Sequence, residues 1–312
     1  MKKQERFKSA IGGQALIEGV YMRGPEKGSV VVRRPDGGLF IETTEIKPPP
    51  LRKVPFARGA VSLVYSLISG YKSIMKSADI AFEDVTGEPS EEPDDTVEEA
   101  KPEKSGDKAV TAAGIIGAVL GALLSVFLFL IAPTFLTGLL DRFIPLGGFK
   151  AVVEGLLKIM IFLTYLFLVT RLKDIRRVFE YHGAEHKTIA CYEAEDELTV
   201  DRVREYSRFH PRCGTSFLFL VVIVSIAIFS FIPFGRTLAR AGIKLLMMPL
   251  IMGVAYEILR YAGRHGNLLA VVLSAPGKWV QRLTAFEPDD SQIEVAIAAL
   301  REVIPEGGEN IE

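Results

Sequence analysis

Cysteine is nearly absent from this sequence. Cys191 and Cys213 are the two that occur, too few for a disulfide framework, so reduced thiols facing the cytosol are the default expectation. An excess of either charge is also missing: 37 Lys and Arg stand against 38 Asp and Glu, a net of −1. That balance offers no argument for a nucleic-acid partner, and no glycine loop of either common phosphate-cradling type is present. The basic start, MKKQERFKSA, lacks the apolar stretch that would have to follow it directly in a secretory signal. Histidine is scarce as well, with four residues, so each one can be weighed singly. At 312 residues the length suits one large domain or two modest ones.

What is present is segregated. Apolar residues collect in four runs, at 110–132, 151–170, 217–233 and 243–259. Each approaches the ~20 apolar residues that a helix needs to cross the hydrocarbon core. The plainer alternative for a short run is a buried helix of a soluble protein. Positive charge orients the spans. The stretch 171–216 carries Arg171, Lys173, Arg176, Arg177, Lys187 and four further arginines, whereas the connections 139–150 and 234–242 carry few. Loops rich in Lys and Arg stay inside. The expectation is therefore a multi-pass protein of the cytoplasmic (inner) membrane, in contact with lipid, with both termini and the long 171–216 loop in the cytoplasm. The fold class expected is mainly α, a polytopic bundle of about four spans over residues 109–262.

Other segments have other characters. Residues 1–50 alternate and are broken by RGPEKG and RPDGG, which predicts three short antiparallel strands joined by turns. Residues 51–83 read as an amphipathic helix after PPPLRKVPF, with Val61, Val64, Tyr65 and Ile68 at helical spacing. Residues 84–108 are acidic, contain proline and lack apolar periodicity, as expected of a flexible linker. Residues 263–312 are expected to hold cytoplasmic or interfacial helices, with Asp290 or Ser291 capping one that runs from Gln292 to Glu302.

The chemistry concentrates in YHGAEHKTIACYE, residues 181–193. HGAEH fits the inverted zinc-peptidase pattern H-x-x-E-H. On a helix His182 and His186 share a face and can offer two imidazoles to one metal ion. Glu185 lies beside that face, placed to take a proton from an activated water. A solvated histidine pair near lipid headgroups is the alternative. A second cluster, FHPRCG, sets His210 and Cys213 three apart, both suited to zinc; alone, Cys213 could simply pack as a small apolar residue. Glu257 near the end of the fourth run is a third candidate, since a carboxylate near membrane depth is costly; its alternative use is an ion pair with Arg260 or Arg264. Glu154 and Lys158 are spaced as a structural ion pair. His265 reads as part of a surface turn, and Glu287 and Asp289 as capping residues before they are oxygen ligands.

GGQALIEGVYMRGP, PFARGAVSLVYSL, YHGAEHKTIACYE, HPRCGTSF, GVAYEILRYAGR and EPDDSQIEVAIAAL together resemble the YqhQ-like family of bacterial membrane proteins. The resemblance covers nearly the whole chain apart from the acidic stretch. It implies an uncharacterised, predicted metal-dependent enzyme with His182, Glu185, His186, Glu193, His210, Arg212 and Cys213 as motif positions. The reading expected from residues and resemblance together is a cytoplasm-facing divalent metal site, with zinc the expected ion. Its ligands would be His182 and His186, completed by His210, Cys213 or Glu257, with Glu185 as general base in hydrolysis of a peptide or lipid-linked substrate. The rival is a non-enzymatic membrane scaffold, in which four closed ligands make the metal structural.

Overall fold

A computed structural model of the chain describes residues 7–46, 54–82, 108–231, 237–265 and 267–305. The acidic stretch expected to be a linker lies outside these, except for Lys108. The chain divides into two compact units, one of Met1–Glu83 with Leu163–Glu312 and one of Asp84–Phe162.

The alternating N-terminal segment forms an antiparallel meander of four strands, β1 (Gly12–Leu16), β2 (Gly19–Arg23), β3 (Lys27–Arg33) and β4 (Leu39–Glu45). Four strands replace the three expected because β1 and β2 are joined by a two-residue turn with no glycine, proline or asparagine to announce it. Leu16 pairs with Gly19 across that turn, and Glu18 takes the left-handed conformation at φ 51. Its carboxylate is held there by the Arg177 guanidinium and the Tyr181 hydroxyl.

Beyond the sheet the described chain is helical: α1 (Ala57–Ala81), α2 (Lys108–Val126), α3 (Ala132–Phe143), α4 (Lys150–Val169), α5 (Lys173–Glu193), α6 (Val200–Arg204), α7 (Gly214–Ser230), α8 (Thr237–Arg264), α9 (Leu268–Thr284) and α10 (Asp290–Arg301). The period-two alternation of β2 and β3 sends side chains to both faces of the sheet. Val20, Met22 and Val31 join Tyr181, Ala184 and Ile189 of α5 and Ile293, Ala296 and Leu300 of α10 in the main core. Tyr21, Val30 and Val32 face the other way and pack with Ile80 of α1. A separate cluster joins Phe217, Leu220 and Val224 of α7 to Ile251 and Ala255 of α8. Asp289 begins α10 with a capping box closed by Gln292, one residue ahead of the caps expected.

In the unit of residues 84–162, a π-helical stretch (Phe127–Ile131) joins α2 to α3. The continuous helix Val119–Phe143 and the following Gly147–Val169 are long and apolar enough to cross a membrane. Leu120, Leu123, Phe143, Leu156 and Met160 on them point outward and are mostly exposed, as lipid-facing side chains would be. Lys158 pairs with Glu154 at 3.3 Å, as their spacing predicts.

Two such helices are found among the described residues where four were expected. The third run falls in α7, apolar but only 17 residues long. The fourth falls inside α8, where some side chains lie outside the description. The stretch 171–216 is also not a long loop: most of it is α5, a helix of 21 residues. Tyr181 to Ile189 are buried on every side of α5, so it lacks the one-sided periodicity that marks an amphipathic helix.

Candidate metal centre

His182, Glu185 and His186 lie along the buried middle of α5. The chain can pass close to the helix there because residue 183 is glycine; a Cβ would come within 1.9 Å of the Phe286 carbonyl oxygen. That close passage brings the end of α9 against His182. The His182 Nδ1–H donates to the Thr284 carbonyl at 2.6 Å, and the His186 Nδ1–H donates to the Arg208 carbonyl at 2.6 Å. Both rings are thereby fixed with Nε2 turned inward. His182 Nε2 is 3.1 Å from Sγ of Cys213, the residue that precedes α7. One ligand atom from each of His182, His186 and Cys213 lies within 4.8 Å of the others, and all three residues are buried.

Two imidazole nitrogens and a thiol sulfur are a donor set suited to zinc and similar borderline-soft divalent ions, bound at ~2.0–2.3 Å. Histidines that ligate a metal commonly give their other ring N–H to a carbonyl or carboxylate, and both of these do. The same trio is electrostatically coupled. Burial raises the Cys213 thiol, but His182 and then His186 override it and hold it well below the usual thiol value. Burial lowers His182, yet Cys213 and Glu185 carry it to about 9.

Glu185 is buried beside the trio, and burial pushes its carboxyl above the usual value against the pull of His186 and His182. The backbone of Gly13, on the edge strand β1, packs closely against it.

His210 stands apart from the trio. Its ring is 5.6 Å from that of His186, centroid to centroid, and it accepts the Arg212 N–H at Nδ1, 3.3 Å away. The Nε2–H is therefore directed toward Glu193, 3.8 Å from Oε2, and neither of those two atoms has a hydrogen-bond partner among the described residues. Gln281 of α9 fixes the His210 peptide at both ends, accepting its N–H at 2.8 Å and donating to its carbonyl at 2.7 Å. Burial lowers His210 to about 4, helped by the Arg212 charge and only partly offset by Glu193. Glu193 itself would be raised by burial, but His210 and Arg212 hold it at about 2. Its Oε1 accepts from the N–H and hydroxyl of Ser9, each at 2.8 Å, and from Arg212.

Glu257 is not brought to the cluster. Both of its oxygens are taken by Arg58 of α1, at 2.7 and 2.5 Å, a partner distant in sequence rather than the expected Arg260 or Arg264. His265 is exposed and stacks on Tyr261 at 4.2 Å. Glu287 pairs with Lys187 at 2.7 Å. The positions that sequence reasoning missed are Gly13, Ser9, Gln281 and the carbonyls of Thr284 and Arg208. Backbone atoms contribute through position and leave no trace in residue type. GGQALIEG did carry a signal, a glycine pair opening a strand.

A cavity of about 750 Å³ reaches the trio, lined also by Glu185, His210 and Arg212. The family described as "Protein of unknown function (DUF1385)" matches residues 54–306. An "Uncharacterized protein YqhQ" of Bacillus subtilis (strain 168) is 34% identical over 300 residues, which cover 95% of this chain and 92% of that one. No solved structure matches.

Proposed function

We propose, for this chain, which belongs to the DUF1385 family, a metal-dependent hydrolase of the cytoplasmic membrane acting on a peptide or lipid-linked substrate. One observation carries the reading: two buried imidazoles, each locked by a backbone carbonyl, converge with a buried thiol at the end of a cavity. A divalent ion, zinc for this donor set, would be held by His182, His186 and Cys213, and when bound supplies a Lewis acid that activates water. Three protein ligands leave a coordination position open, the pattern of catalytic rather than structural zinc. His210, the residue a closed four-ligand site would need, is held toward Glu193 instead.

The remaining work falls to the chain's own groups. Glu185 takes the proton of the attacking water, and its burial favours this by raising its basicity above that of an ordinary carboxylate. The close packing of Gly13 on the carboxyl holds it in place. Glu193, Arg212 and Ser9 tie the N-terminal segment to the end of α5 and so close one side of the cavity. The membrane reading rests on Val119–Phe143 and Gly147–Val169, with α7 and α8 as the further two of four spans, and on the basic stretch after Val169, which argues for a cytoplasmic site.

Elemental analysis of purified wild type, His186→Ala, Cys213→Ser and Glu185→Gln tests the reading, alongside complementation of a deletion strain. Wild type and Glu185→Gln should carry about one metal ion per chain, and the two ligand variants should lose it. Glu185→Gln should fail to complement, because removing a general base costs ~10²–10⁴-fold in rate. Full complementation by Glu185→Gln with failure of His186→Ala would leave a structural metal and a scaffold.

A further inference from the structure

We infer that the cavity beside the metal trio binds an anionic amphiphile, a phosphate head on a hydrocarbon tail. This rests on the proposed hydrolase reading and names the substrate class of that same site. Charge is the first observation. Lys8, Arg23, Arg212, Arg260 and Arg264 line the cavity, and Glu185 is the one carboxylate among the described residues of its lining. Arg212 is engaged with Glu193 and Lys8 with the Gly263 carbonyl, whereas Arg260 makes no ion pair among the described residues. Burial and then the Arg264 and Arg58 charges hold its guanidinium below the usual arginine value, partly offset by Tyr256 and Glu257.

Arg260 and Arg264, four apart on α8, share a helix face and both line the cavity. Guanidinium groups match the oxygens of a phosphate in forked pairs. The cations of the described lining suit an anion, and their guanidinium groups favour phosphate.

The second observation is apolar continuity. Leu63 and Leu67 of α1 and Phe217 and Leu218 of α7 line the same cavity. Leu67 and Leu218 are 63% and 49% exposed, so the apolar wall runs from the interior onto the outer surface. Val64, Ile68 and Tyr71 extend that surface along α1. A free phosphate would use none of this wall. A tail that enters from the apolar surface while its head meets Arg260 uses both halves of the lining.

The test uses the full chain in a neutral maltoside detergent with metal removed by chelation. Decyl phosphate, decanol and inorganic phosphate are titrated calorimetrically into wild type, Arg260→Gln and Arg260→Lys. Decyl phosphate should bind at least tenfold more tightly than either of the others. Arg260→Gln should weaken it roughly ten- to a hundredfold, the worth of a charge-assisted hydrogen-bond pair, with Arg260→Lys between. Maleimide labelling read by mass spectrometry should show Cys213, which lines the cavity, protected by decyl phosphate.

Equal binding of decanol would reduce the site to an apolar pocket. Inorganic phosphate binding as well as decyl phosphate would make it a free-anion site. Indifference to Arg260→Gln, or an unprotected Cys213, would move the ligand to the detergent or the outer surface. Each of these outcomes overturns the inference. Because binding is read without metal, a protein that holds zinc but not decyl phosphate loses this inference alone, and one that binds decyl phosphate but no metal loses the hydrolase reading instead.

Discussion

Gly13 lies against the buried carboxyl of Glu185 across a gap with no room for a side chain. A Cβ on residue 13 would stand 3.0 Å from Cδ of Glu185 and 2.6 Å from the Tyr21 carbonyl oxygen. Contacts that tight force either the strand or the carboxyl to move. Gly13→Ala should therefore keep its metal while losing at least tenfold in function, since sub-ångström misplacement of a general base is costly. Overpacking should also lower stability by about 1–3 kcal/mol. Metal analysis with complementation checks this, and full activity in Gly13→Ala would remove Glu185 from the reaction.

Acid should destabilise the metal-free protein in two overlapping steps. His210 is held near 4 in the fold against an ordinary 6.5, so the unfolded chain takes up that proton first. Its contribution is complete above pH 6.5 and is lost as the pH falls toward 4. Glu193 is held near 2 against an ordinary 4.5, so its contribution is complete above 4.5 and is lost as the pH falls toward 2. Thermal melting of wild type beside His210→Gln should show the wild-type Tm falling relative to the variant between pH 6.5 and 4, whereas above 6.5 His182, raised to about 9, gains stability on acidification. A wild-type Tm that does not fall relative to His210→Gln in that range would contradict the neutral, buried His210.

Much of this was legible in the sequence, for reasons that differ by residue. HGAEH announced a two-imidazole face because i,i+4 spacing on a helix needs no tertiary knowledge. Cys213 was legible only as a type, since its approach to His182 depends on where α7 begins. The sheet was visible from alternation, but the Ile17–Glu18 turn was not, because Arg177 from another element stabilises its left-handed residue. The helix α5 was hidden by its own burial. His, Glu, Lys and Thr in its buried middle gave it the composition of a loop, and each finds its place through distant contacts such as Lys187 donating to the Arg204 carbonyl. Glu257 was misread because its partner, Arg58, lies 199 residues away.

That ion pair makes a clean control for the metal site. Glu257 and Arg58 join α8 to α1 and are partly shielded, with side chains 25% and 18% exposed. Glu257→Gln should leave metal stoichiometry unchanged and lower stability by on the order of 1 kcal/mol, as expected of a partly exposed pair. Elemental analysis and thermal melting on the same sample read both. Loss of metal in Glu257→Gln with an unchanged melting curve would return Glu257 to the ligand shell.

The orientation of the chain can be tested at two points. Val119–Phe143 and Gly147–Val169 are separated by three residues, so a hairpin that spans the membrane must place its turn and its two ends on opposite sides. The turn is flanked by Arg142 and Lys150, whereas Arg171, Lys173, Arg176 and Arg177 follow Val169 directly. Positive residues within ~15–20 positions of a span hold that end in the cytoplasm. A reporter pair fused after Leu146 should be active only in its periplasmic form, and the same pair fused after Asp201, on the short and exposed α6, only in its cytoplasmic form. Opposite activities at both points would reverse the protein and put the His182–Cys213 cluster outside the cell. Cytoplasmic activity at both would mean that neither helix crosses, and the exposed Leu120, Leu123 and Leu156 would then need a protein partner rather than lipid.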